Sequence, residues 1–207
     1  EISIVAGDTL REDIVREYLT ISNSMPLFAV DIAARQASFL RDAPTIQSIT
    51  IRRRLPDTLY VRIVERLPLA RFSNRNLAVD AEGCIFVRYK GLEQLPSISG
   101  YELHGLAPGA RVSGMTLAAI ELLETLRVSD IPLQVADIDV SREDYLVCAM
   151  ADQRLVKLAW DGMPLGNDRA RRNLRYQLLG LARAMNSEHG RARARWDATV
   201  PGRAYAL

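Results

Sequence analysis

The sequence predicts an α+β protein in two parts: a small N-terminal β-α-α-β-β unit, then a larger, mixed β unit with flanking helices. Three observations carry this prediction. Helical spacing of apolar residues gives way to period-two alternation just after Pro44, the texture changes to short strands after Pro68, and a long amphipathic stretch precedes two final strand fragments. At 207 residues the chain is long enough for one or two cores. The expected boundary puts residues 1–68 in the first unit and 69–207 in the second. With 48% apolar and 25% charged residues, the composition excludes a disordered, collagen-like or disulfide-dense chain. No window holds the roughly 18 uninterrupted apolar residues that a membrane-spanning helix needs.

Each element follows from local pattern. Residues 2–6 (ISIVA) read as a strand closed by Gly7. Thr9 opens a helix with Glu12 as its capping-box partner, and Leu10, Ile14 and Tyr18, with Val15 and Leu19, form its apolar stripe. Asn23, Ser24 and Pro26 mark a turn. Asp31 caps a second helix with Ile32, Gln36, Phe39 and Leu40 inward, and Pro44 stops it. IQSITIRRR and TLYVRIVE then alternate about a turn at Pro56–Asp57 (Ile49, Ile51 and Arg53 on the first, Leu59, Val61 and Ile63 on the second), as in a sheet covered on one side by helices.

After Pro68 come short strands, LARF, LAVD and CIFVR, with Gly83 between the last two, then a stiff extended piece at Leu95–Ile98. Ser113 can cap a helix over 114–128 with Leu117, Ile120, Leu123 and Leu126 along one side. Strand-like runs follow at 134–141, 144–150 and 153–160. Gly166, Asn167 and Asp168 open a helix to about 187 with Leu174, Leu178, Leu181 and Met185 inward and Arg169, Arg172 and Arg183 outward; Gly190 is its expected stop. Strand fragments 194–200 and 203–207 end the chain, joined by Pro201–Gly202.

The net charge of +2 hides a gradient. Residues 161–207 hold nine basic side chains against four acidic ones, and 25 of the 27 cations in the chain are arginine. The basic excess is either a solvated helix face or a surface that steers an acidic partner. Nucleic acid is not expected, because a stacking platform would set aromatics among the arginines and only Tyr176, Trp196 and Tyr205 are available there. The chain begins at Glu1 rather than methionine, so it is expected to be a fragment or a processed product.

Catalytic patterns are missing: no GxSxG, HExxH, Walker loop or GxGxxG after a strand. Asp137, Asp139, Glu143 and Asp144 cluster, and a solvated strand end explains them better than metal or acid/base work. His104 and His189 stand apart from each other and from Cys84 and Cys148, so neither metal nor cofactor is expected. The two cysteines lie in strand-like runs; they read as buried thiols, with a disulfide as the alternative in an oxidising compartment.

Residues Pro44 to Phe72 carry a further signal. Pro44, Ile46, Ile49 and Ile51 lead into Pro56-Asp57-x-Leu59 and then Glu65-Arg66-x-Pro68-x-Ala70. Asp80-x-x-Gly83-x-x-Phe86 and Leu95-Pro96-x-x-x-Gly100 follow. In order and spacing this resembles the extracytoplasmic part of the bacterial cell-division protein family FtsQ (DivIB in Gram-positive bacteria), and the likeness extends more loosely to the final strand pair.

The resemblance implies a membrane-proximal POTRA domain, whose β-α-α-β-β order matches the independent reading of residues 1–66, and a β domain after it. It implies a cytoplasmic tail and one transmembrane helix ahead of Glu1, with this region periplasmic at the division septum. It implies a scaffold without enzymatic activity that binds FtsB-like and FtsL-like partners, other division proteins through the POTRA domain, and helps to regulate septal peptidoglycan synthesis. FtsB is received as an added strand, so the docking strip implied here is Val200, Arg203, Ala204, Tyr205 and Leu207, with Arg172, Arg175 and Arg195 supplying charge complementarity. Asp197 matches the family pattern, whereas Thr199 and Val200 replace the usual arginine and aromatic. Ser48, Arg52 and Arg53 on the second POTRA strand form a second candidate surface, for recruitment, and Glu65 and Arg66 are expected at the domain junction. The alternative is a POTRA-containing component of outer-membrane protein assembly or secretion, which would need further POTRA units or a β-barrel. A periplasmic hydrolase would need a catalytic constellation.

Overall fold

A computed structural model describes residues 2–5, 12–19, 31–102, 105–163 and 165–207. Gly7, the Thr9 cap, Leu10, the turn at Asn23, Ser24 and Pro26, and His104 lie outside them. The chain divides into two compact units, Glu1–Leu67 and Pro68–Leu207.

In the first unit the elements are β1 (Ile2–Val5), α1 (Glu12–Tyr18), α2 (Ile32–Asp42), β2 (Ile46–Arg54) and β3 (Thr58–Glu65). β2 and β3 form an antiparallel hairpin, and β1 runs parallel to β3 on its other side, so β2 is an edge. A parallel return from β1 needs a long crossover, and the two helices lie within it. Alternation places Ile49, Ile51, Leu59, Val61 and Ile63 in the core with Phe39. Asp31 caps α2, its Oδ1 accepting from the Ala34 N–H at 3.1 Å. The α1 stripe is narrower than its sequence suggests. Val15 and Leu19 are buried, while Ile14 is 53% and Tyr18 38% exposed. The Tyr18 ring packs edge-on against Phe39, which leaves its hydroxyl free to donate to Asp42 at the rim. Leu40 is also exposed, because Phe39 takes the inward place on α2. Gln36 is only part-buried and donates to the Ile49 carbonyl at 2.8 Å.

In the second unit nine strands form one mixed sheet: β4 (Ala70–Phe72), β5 (Leu77–Val79), β6 (Ile85–Val87), β7 (Ser97–Ser99), β8 (Val135–Asp139), β9 (Leu146–Met150), β10 (Leu155–Leu158), β11 (Arg195–Ala198) and β12 (Tyr205–Ala206). Their order is β12-β11-β10-β9-β8-β7-β4-β5-β6. The extended piece after Leu95 is a true strand, parallel to both β4 and β8. The helices are α3 (Gly114–Ser129) and α4 (Asp168–Asn186), and they share one core with the sheet. Asn167 caps α4 through the Ala170 N–H at 2.9 Å, and Leu174, Leu178, Leu181 and Met185 are buried as their spacing requires.

Two cap readings change. Ser113 occupies the N-cap of α3 without a side-chain cap bond. α4 stops before Gly190: Ser187 is its C-cap, and the Ser187 hydroxyl donates to the Ala184 carbonyl at 2.8 Å and accepts from the Gly190 N–H at 3.1 Å.

Both cysteines are buried as thiols, not joined in a disulfide. Burial, assisted by the Asp137 charge, pushes the Cys148 thiol up to about 12.

Candidate functional site: an open sheet edge and the clamp behind it

β11 is short and strictly alternating. Trp196 and Ala198 point into the core, while Arg195 and Asp197 face the other side of the sheet. Asp197 ends the strand by folding back on the chain, accepting from the Thr199 N–H at 3.0 Å and the Thr199 hydroxyl at 2.7 Å. These bonds, the hydroxyl's first, hold its carboxyl below the usual aspartate range. Thr199 therefore has a local structural task where the family pattern carries arginine.

The chain then turns through Val200-Pro201-Gly202-Arg203. The Arg203 N–H donates to the Val200 carbonyl at 3.1 Å, and Gly202 has φ +72°, so proline and glycine occupy the two central positions of a type II turn as each requires. β12 returns antiparallel to β11, with Trp196 opposite Ala206 and Asp197 opposite Tyr205. The Leu207 N–H donates to the Arg195 carbonyl at 3.0 Å. Hydrogen-bonded and non-bonded pairs alternate in an antiparallel ladder. Leu207 and Tyr205 therefore turn their backbone groups toward β11, and Ala204 and Ala206 turn theirs outward. β12 ends the sheet order, and no described strand lies beyond it.

Tyr205, Ala206 and Leu207 are all exposed. Tyr205 is 44% and Leu207 63% exposed, on the sheet face that also carries Arg195 and Lys157. Lys157 lies 5.4 Å over the Tyr145 ring. Val200 is 44% exposed at the turn, Arg203 donates to the Tyr205 hydroxyl at 3.2 Å, and Ala204 is half-buried. The structure thus gathers Val200, Arg203, Ala204, Tyr205, Leu207 and Arg195 along one border.

Arg172 and Arg175 are not gathered there. They are exposed on α4 but line a cleft of about 840 Å³ between α3 and α4, with Arg171, Glu121, Glu124 and Val128. At 100° per residue, Asn173, Tyr176 and Gln177 occupy a different face of the helix, and these are the residues beside Pro201 and Gly202. On the floor of the cleft Glu121 is 7% exposed, and neither of its carboxylate oxygens has a hydrogen-bond partner among the described residues. Burial raises its pKa, against the opposing pull of Arg171.

One positioned residue escaped the sequence reading. Gln177 of α4 is buried, and its side-chain amide meets the turn between β11 and β12. Its Nε2 donates to the carbonyls of Ala198 at 2.7 Å, Val200 at 3.0 Å and Arg203 at 3.0 Å, while its Oε1 accepts from the Gly202 N–H at 2.5 Å. Only this orientation of the amide works, because the three carbonyls can accept but not donate. The signal was a polar residue inside an apolar stripe, three after Leu174 and four before Leu181.

In the first unit Ser48, Arg52 and Arg53 are exposed on β2, the edge strand. Ser48 and Arg52 face away from the core; Arg53 shares the register of Ile49 and Ile51 but stands exposed near the strand end. Glu65 and Arg66 are half-buried, and Arg66 donates to the Pro44 carbonyl at 3.0 Å within its own unit.

The acidic cluster is taken up locally. Asp137 accepts from the hydroxyls of Ser97 and Ser99, and Asp139 from the Ser141 N–H at 2.8 Å. Glu143 and Asp144 are solvated, and His189 is exposed in the turn after α4. Among the described residues no three His, Cys, Asp or Glu side chains converge on a metal position.

A β-α-α-β-β unit followed by a mixed sheet with an open terminal edge defines a two-part α+β class of protein, and known proteins narrow it. The family described as POTRA domain, FtsQ-type, matches residues 1–66. The chain is 37% identical over 76 residues to cell division protein FtsQ of Neisseria meningitidis serogroup B, covering 37% of this chain and 32% of that protein. The same identity and length hold for FtsQ of Neisseria gonorrhoeae, of which 31% is covered. FtsQ of Escherichia coli K12 is 30% identical over 78 residues, 38% of this chain and 28% of that protein. The chain thus spans about a third of the length of these curated relatives in each match. Residues 1–66 thus match a POTRA domain of the FtsQ type, and the likeness to cell division protein FtsQ extends over 76 to 78 residues of the chain.

Proposed function

We propose that this chain is the extracytoplasmic part of a non-catalytic divisome scaffold that receives a partner strand along β12. The single observation that carries the reading is the open border of a nine-stranded sheet, with Ala204 and Ala206 turning backbone N–H and C=O groups outward in a chain that starts with an FtsQ-type POTRA domain. Unpaired ladder groups at an edge are satisfied by an added strand, and the side chains beside them set which strand fits. Tyr205 and Leu207 offer apolar area, and Arg195 and Arg203 offer charge. The partners of this reading are FtsB-like and FtsL-like proteins, through which the scaffold helps to regulate septal peptidoglycan synthesis.

Ser48, Arg52 and Arg53 on the β2 edge form the recruitment surface for other division proteins. A membrane anchor ahead of Glu1 holds the region on the periplasmic side of the inner membrane. Within the chain described, no helix is long and apolar enough to cross a membrane. Arg172 and Arg175 act on the partner only where it also reaches the α3/α4 cleft.

The test is retention of a synthetic FtsB-like helix–strand peptide by the purified chain, with Tyr205→Asp as the comparison. Wild type retains the peptide, and the variant loses at least about tenfold in affinity while melting at the same temperature, because a solvated border residue contributes little to stability. Equal retention by both sinks the assignment of the border.

A further inference from the structure

β12 has only two ladder residues and, among the described residues, no strand on its outer side. A strand that short is marginal on its own hydrogen bonds. Its ordering comes from behind, where Gln177 binds the carbonyls on both sides of the turn and the Gly202 N–H within it. All four contacts fall between Ala198, the last residue of β11, and Arg203, two residues before β12 begins.

We propose that Gln177 is a positioning residue for partner binding: its amide clamps the Val200–Arg203 turn and so sets the fraction of molecules in which β12 is laid down ready to accept a strand. The proposal rests on the strand-addition reading above. Its physical content is a population effect. A ligand that binds only the ordered edge has an apparent Kd equal to its intrinsic Kd divided by the ordered fraction. Removing the amide leaves the Arg203 carbonyl and the Gly202 N–H to water and the Val200 carbonyl with its turn bond to the Arg203 N–H alone, and the turn and β12 fray together. α4 is otherwise held by Leu174, Leu178, Leu181 and Met185, so the loss stays local.

The clamp also links two distant parts of the sequence. α4 is fixed to the sheet core, and Gln177 carries that fixity to a tail that makes few contacts of its own. No residue of β11 or β12 supplies it, since Asp197 spends its carboxylate on Thr199.

Amide hydrogen exchange and peptide titration on the full chain test the proposal together, with wild type, Gln177→Met, which keeps the volume, and Gln177→Glu, which keeps the acceptor for Gly202 but sets a negative charge against three carbonyls. In free wild type the Gly202 and Leu207 amides are protected. In both variants they exchange at least about tenfold faster, the FtsB-like peptide's Kd rises by the same factor, and the Cys148 and Val156 amides on β9 and β10 keep their protection. Three results overturn the clamp: wild-type Gly202 and Leu207 exchanging at unprotected rates, which needs no variant; variants that leave exchange and Kd unchanged; or protection lost equally on β9 and β10, which makes Gln177 a general support of the fold. A wild-type chain that binds no peptide sinks strand addition instead, and the exchange arm still decides the clamp.

Discussion

Tyr205 and Leu207 share the sheet face of Arg195 and Asp197 through a two-residue period and the turn that reverses the chain before them, so the border proposed for partner binding is a consequence of backbone geometry at Gly202 as much as of the side chains it presents. The same dependence on a single residue appears at Gly100. It has φ +71°, and a Cβ there would meet Asp139 Oδ1 at 2.1 Å and the Ser141 Cβ and N at 2.9 Å. That carboxylate is held in place by the Ser141 N–H, so neither partner can retreat. Gly100→Ala is expected to lower unfolding stability by about 2 kcal/mol or more, measured by urea denaturation, from left-handed backbone strain plus the clash; a change within about 0.5 kcal/mol would contradict the geometry. This explains why two of the motifs that announce the family, Asp80-x-x-Gly83 and Leu95-Pro96-x-x-x-Gly100, were legible. Both are turn chemistry, with Asp80 accepting from the Glu82 and Cys84 N–H groups at 3.0 and 2.8 Å. Turn chemistry is local and reads directly from a sequence. Gln177 did not, because its partners lie more than twenty residues away and an amide in an apolar stripe has no local meaning.

Helix α3 shows what an amphipathic pattern conveys and what it hides. Leu123 and Leu126 are buried as the spacing of leucines requires, yet so are Ala118, Ala119, Leu122 and Glu121, because α3 is covered on more than one side by the sheet and α4. A charged residue at such a position reads as solvated in a sequence, and only the second helix makes it buried. Its consequence is a pH dependence with a definite sign. The native pKa of Glu121 is raised by burial, so the native state holds its proton more tightly than the unfolded chain does. Below the ordinary glutamate range Glu121 is protonated in both states and contributes no penalty. As pH rises from there through the elevated native value, ionisation favours the unfolded chain and stability is lost. Glu121→Gln removes this component, so the variant's stability relative to wild type is expected to be greater at pH 7 than at pH 4 in urea titrations. A difference that is flat, or that reverses, would show that Arg171 fully compensates the carboxylate. α4 presents the opposite case: Asn167, Leu174, Leu178, Leu181 and Met185 all stand where cap and stripe placed them, since a helix with one apolar face against one sheet has little freedom.

At the scale of the whole chain, the two units carry separate cores. The N-terminal unit was legible as β-α-α-β-β because its helices and its β2–β3 hairpin are set by near neighbours, and only β1 has to find a distant strand, β3, in a sheet of three. The nine-strand order of the second unit was not legible. Several of its strands are three residues long, and they are placed by partners distant in sequence, such as β7 beside β8 across α3. What could be read was that the chain ends in a strand pair, and the account depends on that pair closing the sheet with its outer side open. The measurement that bears most directly on it is the exchange rate of the Ala206 amide in the full chain, free and saturated with an FtsB-like helix–strand peptide. Ala206 N–H faces outward, so the account predicts that it exchanges freely alone and becomes protected when the partner strand pairs with it. A saturated complex in which Ala206 still exchanges at its free rate would contradict strand addition at β12.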